Sequence, residues 1–471
     1  MMPSSQILIL GAGPAGMGCA HRLAQHGCAP SIIEREEEAG GLCRTLNFHG
    51  YLFDIGGHRF LTKSVEVNEL WKDVMGDDLL HVKRLSRIYY RKRFFQYPLS
   101  FMNTFWNLGP LESARCIASY AWCKTTRLAD ESTYEGWIVN RFGRRLYDIF
   151  FKTYTEKVWA VPCDNLSARW AQQRIRGLSL RVALRQALGS NRQAPKTLAE
   201  EFLYPRTGPG EFYHRFMERI AARGGRFAFG KTVTGIRHDE RRVIGVDTKD
   251  RRGGIEERWP VEQLFSSLPL PLLVKLLRPH APEPVRTAAE RLSFRSFIVV
   301  NVILDQANVF RDQWIYVQSP EVQMGRIQNY KNWSPAMVAD ARKTSLGLEY
   351  FCTEGDALWS MNDVDLIHVA LEELERIGLA SRRHLIDGFV VRRANVYPVY
   401  TLDYETHVAT IRRYLEQLIN LTTIGRGGLF RYDNSDYALL SGMYAAQNFL
   451  GADERDVWNV HPDQAEAYLE A

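Results

Sequence analysis

The chain opens on an apolar run, Ile7-Leu8-Ile9-Leu10, that stops at Gly11-Ala12-Gly13-Pro14-Ala15-Gly16. A helical stretch follows, and a second apolar run, Ile32-Ile33, closes on Glu34. Strand, tight turn, helix and strand in this order predict one βαβ unit. From about residue 66 to 195 the pattern is mostly helical and rich in Trp, Tyr and Phe. A strand-like run interrupts it at Arg87-Ile88-Tyr89-Tyr90. Short runs at Arg226–Phe229, Val233–Ile236 and Val243–Val246 predict strands that lead into Leu264–Pro269. Phe297–Leu304 is a β-branched run, and helical spacing returns over Asp363–Gly378. A glycine-rich stretch precedes a final helix.

The first turn carries the chemistry. Gly11 permits the tight bend, Gly13 lets backbone approach a pyrophosphate, and Gly16 lets helix and strand pack closely. Pro14 and Ala15 begin a helix whose free N–H groups suit an anion. Glu34 lies where an acid bonds a ribose hydroxyl. A second backbone-rich segment, Gly40-Gly41-Leu42-Cys43-Arg44, comes soon after Glu34 and Arg35. That spacing suits a long dinucleotide such as FAD, with Arg44 at the pyrophosphate. In Gly56-Gly57-His58 the paired glycines admit a flat ring against the backbone, with His58 beside it. The 471 residues exceed one ordinary core. We therefore expect an α/β fold: a discontinuous Rossmann-like FAD-binding domain (1–65, 196–290 and 391–471), a helical substrate insertion (66–195), and a sheet-and-helix substrate insertion (291–390).

Composition adds little beyond exclusions. The net charge of +6 is mild, basic clusters are short, and no nucleic-acid module is present. Seven irregularly spaced cysteines without a CxxC argue against a disulfide frame or a metal site and for a reducing cytoplasm. The immediate first strand leaves no room for a leader, and no apolar run reaches membrane-spanning length. The aromatic stretch Phe94–Trp106 reads as buried or ligand-facing in preference to membrane-touching.

With these motifs in order, the chain resembles the FAD-dependent amine-oxidase-like superfamily and, within it, the UDP-galactopyranose mutase family. The shorter matches are Gly56–Phe60, Tyr97–Phe105, Tyr154-Thr155-Glu156-Lys157-Val158-Trp159, Arg174, Gly325–Lys331, Tyr397-Pro398-Val399 and Gly425–Asp433. The resemblance implies non-covalent FAD held also by Val233, Gly425, Arg426, Tyr432 and Asp433. It implies a nucleotide-sugar pocket built from Tyr154, Trp159, Tyr204, Tyr397 and Tyr432. Arg174 and Arg326 then clamp the diphosphate, because the guanidinium fork matches phosphate oxygens. His58 joins them as a catalytic candidate. The implied activity interconverts pyranose and furanose forms, with the N5 atom of reduced flavin as nucleophile at the anomeric carbon. NAD(P)H is a candidate reductant. A conventional oxidoreductase of the amine-oxidase or protoporphyrinogen-oxidase type shares the superfamily motifs and stays open. The sugar, the base and the oligomeric state are not specified.

Overall fold

In the computed structural model, the described residues are 6–97, 99–126, 130–174, 201–254 and 256–460; the side chains of Phe101, Gln173 and Arg174 lie outside the description. A five-stranded sheet runs in the order Leu421–Thr423, Gln263–Ser266, Ile7–Leu10, Ser31–Ile33, Arg226–Ala228, all parallel. Its central strand is apolar at every position because both faces are covered. Ile7 and Ile9 join a core with the helices Pro14–Gln25 and Ser435–Phe449. Leu8 and Leu10 join another with Leu270–Leu276, Glu283–Arg291 and Tyr404–Leu415. Sequence-distant segments thus build one sheet.

A four-stranded sheet (Glu256–Pro260, Val243–Asp250, Lys231–His238, Leu277–Arg278) flanks it. A seven-stranded mixed sheet forms the platform of the site. Its order is Leu385–Pro398, Phe294–Leu304, Thr344–Cys352, Arg326–Asn329, Trp314–Val317, Ser86–Tyr90, Arg93–Gln96. The platform takes Ser86–Tyr90, where a strand-like run is expected, together with Arg93–Gln96, where none is, and Leu385–Pro398 runs across residue 390. Ile298, Val300 and Val302 pack on one face beneath the helix Asp363–Arg376. Phe297, Val299 and Phe351 alternate to the other face, toward the helices Tyr134–Phe142 and Thr153–Trp159. Among the described residues, no helix is long and apolar enough to cross a membrane. All seven cysteines are free.

Candidate functional site

The dinucleotide turn is built by close packing. Gly11 has φ +99, a conformation that L side chains rarely adopt, and a Cβ on Gly16 would overlap the Gly11 carbonyl oxygen. Gly13 caps the helix without a side-chain bond, and Pro14 starts it, so the first amides stay available to an anion. A Cβ on Gly41 would lie 3.1 Å from the Gly13 Cα, so two bare backbones face each other. Such a cradle fits a pyrophosphate. Glu34 follows its strand and accepts from Ala12 N–H at 2.7 Å and Glu36 N–H at 2.9 Å. Its carboxylate keeps lone pairs for ribose hydroxyls. Lys231 N–H donates to the Glu34 carbonyl at 2.9 Å, which ties the strand that carries half-buried Val233 to the end of the Glu34 strand. Gly425, at φ +72, presses on the same helix start, since a Cβ there would meet Ala15 Cβ at 2.6 Å.

Arg44 is buried, and its guanidinium reaches Glu36 at 3.2 Å and the Gly41 carbonyl at 3.1 Å. Glu36 is also approached by Arg251 at 3.2 Å, Arg35 at 3.5 Å and Arg393 at 4.0 Å. Burial works against the Glu36 charge, but these arginines outweigh it and hold its carboxyl below the usual range. Sequence reading missed both Glu36 and Arg393.

The second half of the site lies on the seven-stranded platform. Register sets Arg326 directly opposite Glu349 on one neighbouring strand and Tyr316 on the other. Arg326 Nε sits 2.8 Å from a Glu349 carboxylate oxygen, with the side chains 12% and 1% exposed. Glu349 also accepts from Gln328 Nε2 at 2.6 Å and from Gly57 N–H at 3.2 Å. Burial opposes the Arg326 charge, yet Glu349 and the surrounding tyrosines push its pKa up. Arg326 Nη2 donates to Tyr397 OH at 3.2 Å. Glu349 was not anticipated; the available signal was one acid inside the fully buried strand Thr344–Cys352.

Tyr397 and Tyr432 stack with centroids 5.4 Å apart and planes at 16°. Arg426 lies over both rings, anchored by its Nε on the Asp433 carbonyl at 2.9 Å. Trp159 and Trp170 form the edge-on wall, 5.8 and 4.7 Å from Tyr432. The helix carrying Trp159 stops at Ala160, where φ is +51, and Arg295 Nε takes the Val158 carbonyl at 3.0 Å. Tyr154 packs edge-on to Tyr316, and burial raises its pKa while the Arg326 charge lowers it. His58 places Nδ1 3.0 Å from the Gly56 carbonyl. Burial, with Arg426 and Arg326 nearby, pulls its pKa down to about 4, so the ring is neutral at pH 7.

The structure therefore gathers His58, Tyr154, Trp159, Arg326, Tyr397, Arg426 and Tyr432 into one cluster. Two expectations change. Tyr204 is fully buried on a strand and donates its OH to Asp54 at 2.5 Å, so its polar end is satisfied in the interior. Gly57 presses against a ring of the protein itself, because a Cβ there would overlap Trp314. Arg174 ends the helix Ala168–Arg174, and its side chain lies outside the described residues.

Comparison with known proteins places this frame among flavoproteins. A solved structure of reduced UDP-galactopyranose mutase superposes with a TM-score of 0.84, at 22% identity over 98% of this chain and 97% of that one. A 1-hydroxycarotenoid 3,4-desaturase of Flavobacterium sp. (strain P99-3) is 23% identical over 51% of this chain and 53% of its own length. A probable UDP-galactopyranose mutase of Klebsiella pneumoniae is 27% identical over 36% of this chain and 44% of its own. The matches span about half or less of these curated relatives. The sequence profile of the flavin containing amine oxidoreductases matches residues 14–448, nearly the whole chain, and the protein belongs to that family.

Proposed function

We propose that the protein is a FAD-dependent nucleotide-sugar pyranose/furanose mutase-like enzyme. The observation that carries this reading is Arg326: a buried guanidinium, held on two sides, opening toward a stacked tyrosine pair and a tryptophan wall. A diphosphate needs such a fixed cation, and a sugar or base needs the flat aromatic faces. The likeness to a reduced mutase structure along nearly the whole chain supports it. When bound and reduced, the flavin would supply the nucleophile for the anomeric carbon.

The chain's own residues supply position and charge. Arg326 would meet the negative charge that grows on a departing diphosphate, and Arg174 is the second cation that the resemblance implies. Tyr397 and Tyr432 offer hydroxyls to phosphate or sugar. The neutral His58 with Nδ1 on the Gly56 carbonyl presents Nε2 as a proton acceptor. Gly11, Gly13, Gly16, Gly41, Glu34 and Arg44 hold the cofactor. The purified protein should be yellow with FAD that denaturation releases; protein that cannot be loaded with FAD would sink this reading.

A second reading has its own observation. Glu349 already meets the Arg326 charge, as expected if the pocket serves an uncharged substrate of an oxidoreductase. The desaturase relative points the same way. Dithionite-reduced protein separates the two. A changed spectrum on adding nucleotide sugars, without reoxidation, supports the mutase; substrate-driven bleaching of the oxidised flavin supports the oxidoreductase.

A further inference from the structure

The helices Phe101–Leu108 and Pro110–Thr125 form a hairpin on the surface of the molecule, joined at Gly109 and tied by the Ser113 hydroxyl on the Phe105 carbonyl at 3.2 Å. The inner side of Pro110–Thr125 buries Ser113, Cys116 and Cys123. The outer sides are apolar as well. Met102 is 50% exposed, and Trp106, Leu111 and Trp122 are each 68% exposed. Exposed Ala114, Ala118 and Trp122 continue from Leu111 at steps of three and four, which is one helical face. Of fourteen large apolar side chains exposed among the described residues, five fall within residues 102–122. The aromatic stretch expected inside thus turns Trp106 and its neighbour Met102 outward.

Along the hairpin and the turn before it the charge is one-sided, although Asp148 of a neighbouring helix lies beside Arg115, Arg144 and Arg145. Residues 91–125 hold Arg91, Lys92, Arg93, Arg115 and Lys124 against Glu112 alone. Glu112 is itself taken by Arg145 and Arg115. The turn Arg91-Lys92-Arg93 is exposed and bound to the hairpin, because the Arg93 guanidinium bonds the Asn107 carbonyl.

We propose that this face docks on an anionic phospholipid surface. Tryptophans, leucine and methionine on one side of a helix, rimmed by Lys and Arg, suit the boundary between headgroups and acyl chains. A second copy of the chain fits poorly, since a two-fold interface would set the same cationic rim against itself. A lipid surface carries the opposite charge.

The test uses the full-length flavoprotein and sedimentation with phosphatidylcholine vesicles, with or without about 30% phosphatidylglycerol. Binding to the anionic vesicles should exceed binding to phosphatidylcholine alone by about tenfold and fall at high salt. Trp106→Ser with Trp122→Ser should weaken it by about tenfold. Arg91→Gln, Lys92→Gln and Arg93→Gln together should abolish the preference for anionic lipid. Absent binding, or binding that neither variant changes, overturns the proposal. So does a dimer in solution that the tryptophan variant splits, because the face then belongs to a second copy.

Discussion

Glu349→Gln is the sharpest probe of the pocket. The substitution keeps the shape and one acceptor for Gly57 N–H and removes a charge 2.8 Å from Arg326 Nε. At an effective dielectric of about 20 that pair is worth about 6 kcal/mol before desolvation. Removing one partner of a buried pair costs about 3–5 kcal/mol, because the other charge stays behind. Spread over a chain of 471 residues, that cost lowers the melting temperature by roughly 3–5 °C. Ligand binding should move the other way. A diphosphate held by Arg326 lies about 6 Å from the Glu349 carboxylate, a repulsion of about 3 kcal/mol at the same dielectric. Neutralising Glu349 should therefore tighten nucleoside diphosphate binding by about tenfold or more. Turnover should fall, because Arg326 loses the partner that aims it. Titration calorimetry with UDP, GDP, TDP and CDP, beside thermal melts, reads both effects. Equal or weaker affinity in a folded variant, or a melting temperature that does not fall, would refute the argument.

Arg326→Ala and Arg174→Ala should each weaken nucleotide-sugar binding and slow turnover at least about tenfold per 1.36 kcal/mol lost, with Lys rescuing only part; equal diphosphate affinity in both variants would remove the clamp. His58→Ala should keep FAD bound and slow turnover sharply, which flavin absorbance and steady-state rates together decide. His58 titrates near 4 when folded and near 6.5 when unfolded, so the unfolded chain binds more protons between those values. Its contribution is full above pH 6.5 and lost as pH falls toward 4, so His58→Gln should flatten that part of a stability–pH curve. Gly57→Ala should destabilise by about 1–3 kcal/mol by displacing Trp314, and Trp314→Leu in the same chain should restore most of the melting temperature.

The nucleotide turn is legible in the chain because its determinants are local. Ile7–Leu10, Gly11, Gly13, Gly16 and Glu34 lie within 28 residues, and the φ of Gly11 and the contact at Gly16 need no distant partner to be anticipated. The β-branched run at Phe297–Leu304 is legible for the same reason, as the core of the strand Phe294–Leu304. The platform is not. It pairs Trp314–Val317 with Ser86–Tyr90, a strand-like run whose partner lies more than two hundred residues away and leaves no local sign. Tyr204 misleads because nothing local in the sequence signals that Asp54, 150 positions away, will take its hydroxyl.

Glu349 shows why motif reading stops short of the chemistry. Arg326 stands out as an arginine in a recognisable segment, but its charge state toward a ligand depends on a cross-strand neighbour 23 positions away. Register makes that neighbour unavoidable: Arg326 faces Glu349, and Gln328 faces Gly347, whose missing side chain admits the Tyr330 hydroxyl. Tyr330 in turn donates to the Asp54 carbonyl at 2.9 Å, just before Gly56-Gly57-His58. Glu349 closes the circuit from the other side through Gly57 N–H. The platform strand that carries Arg326 and the segment that carries His58 are thus tied at two points. Glu349 thus touches both the guanidinium of the candidate site and the amide next to His58.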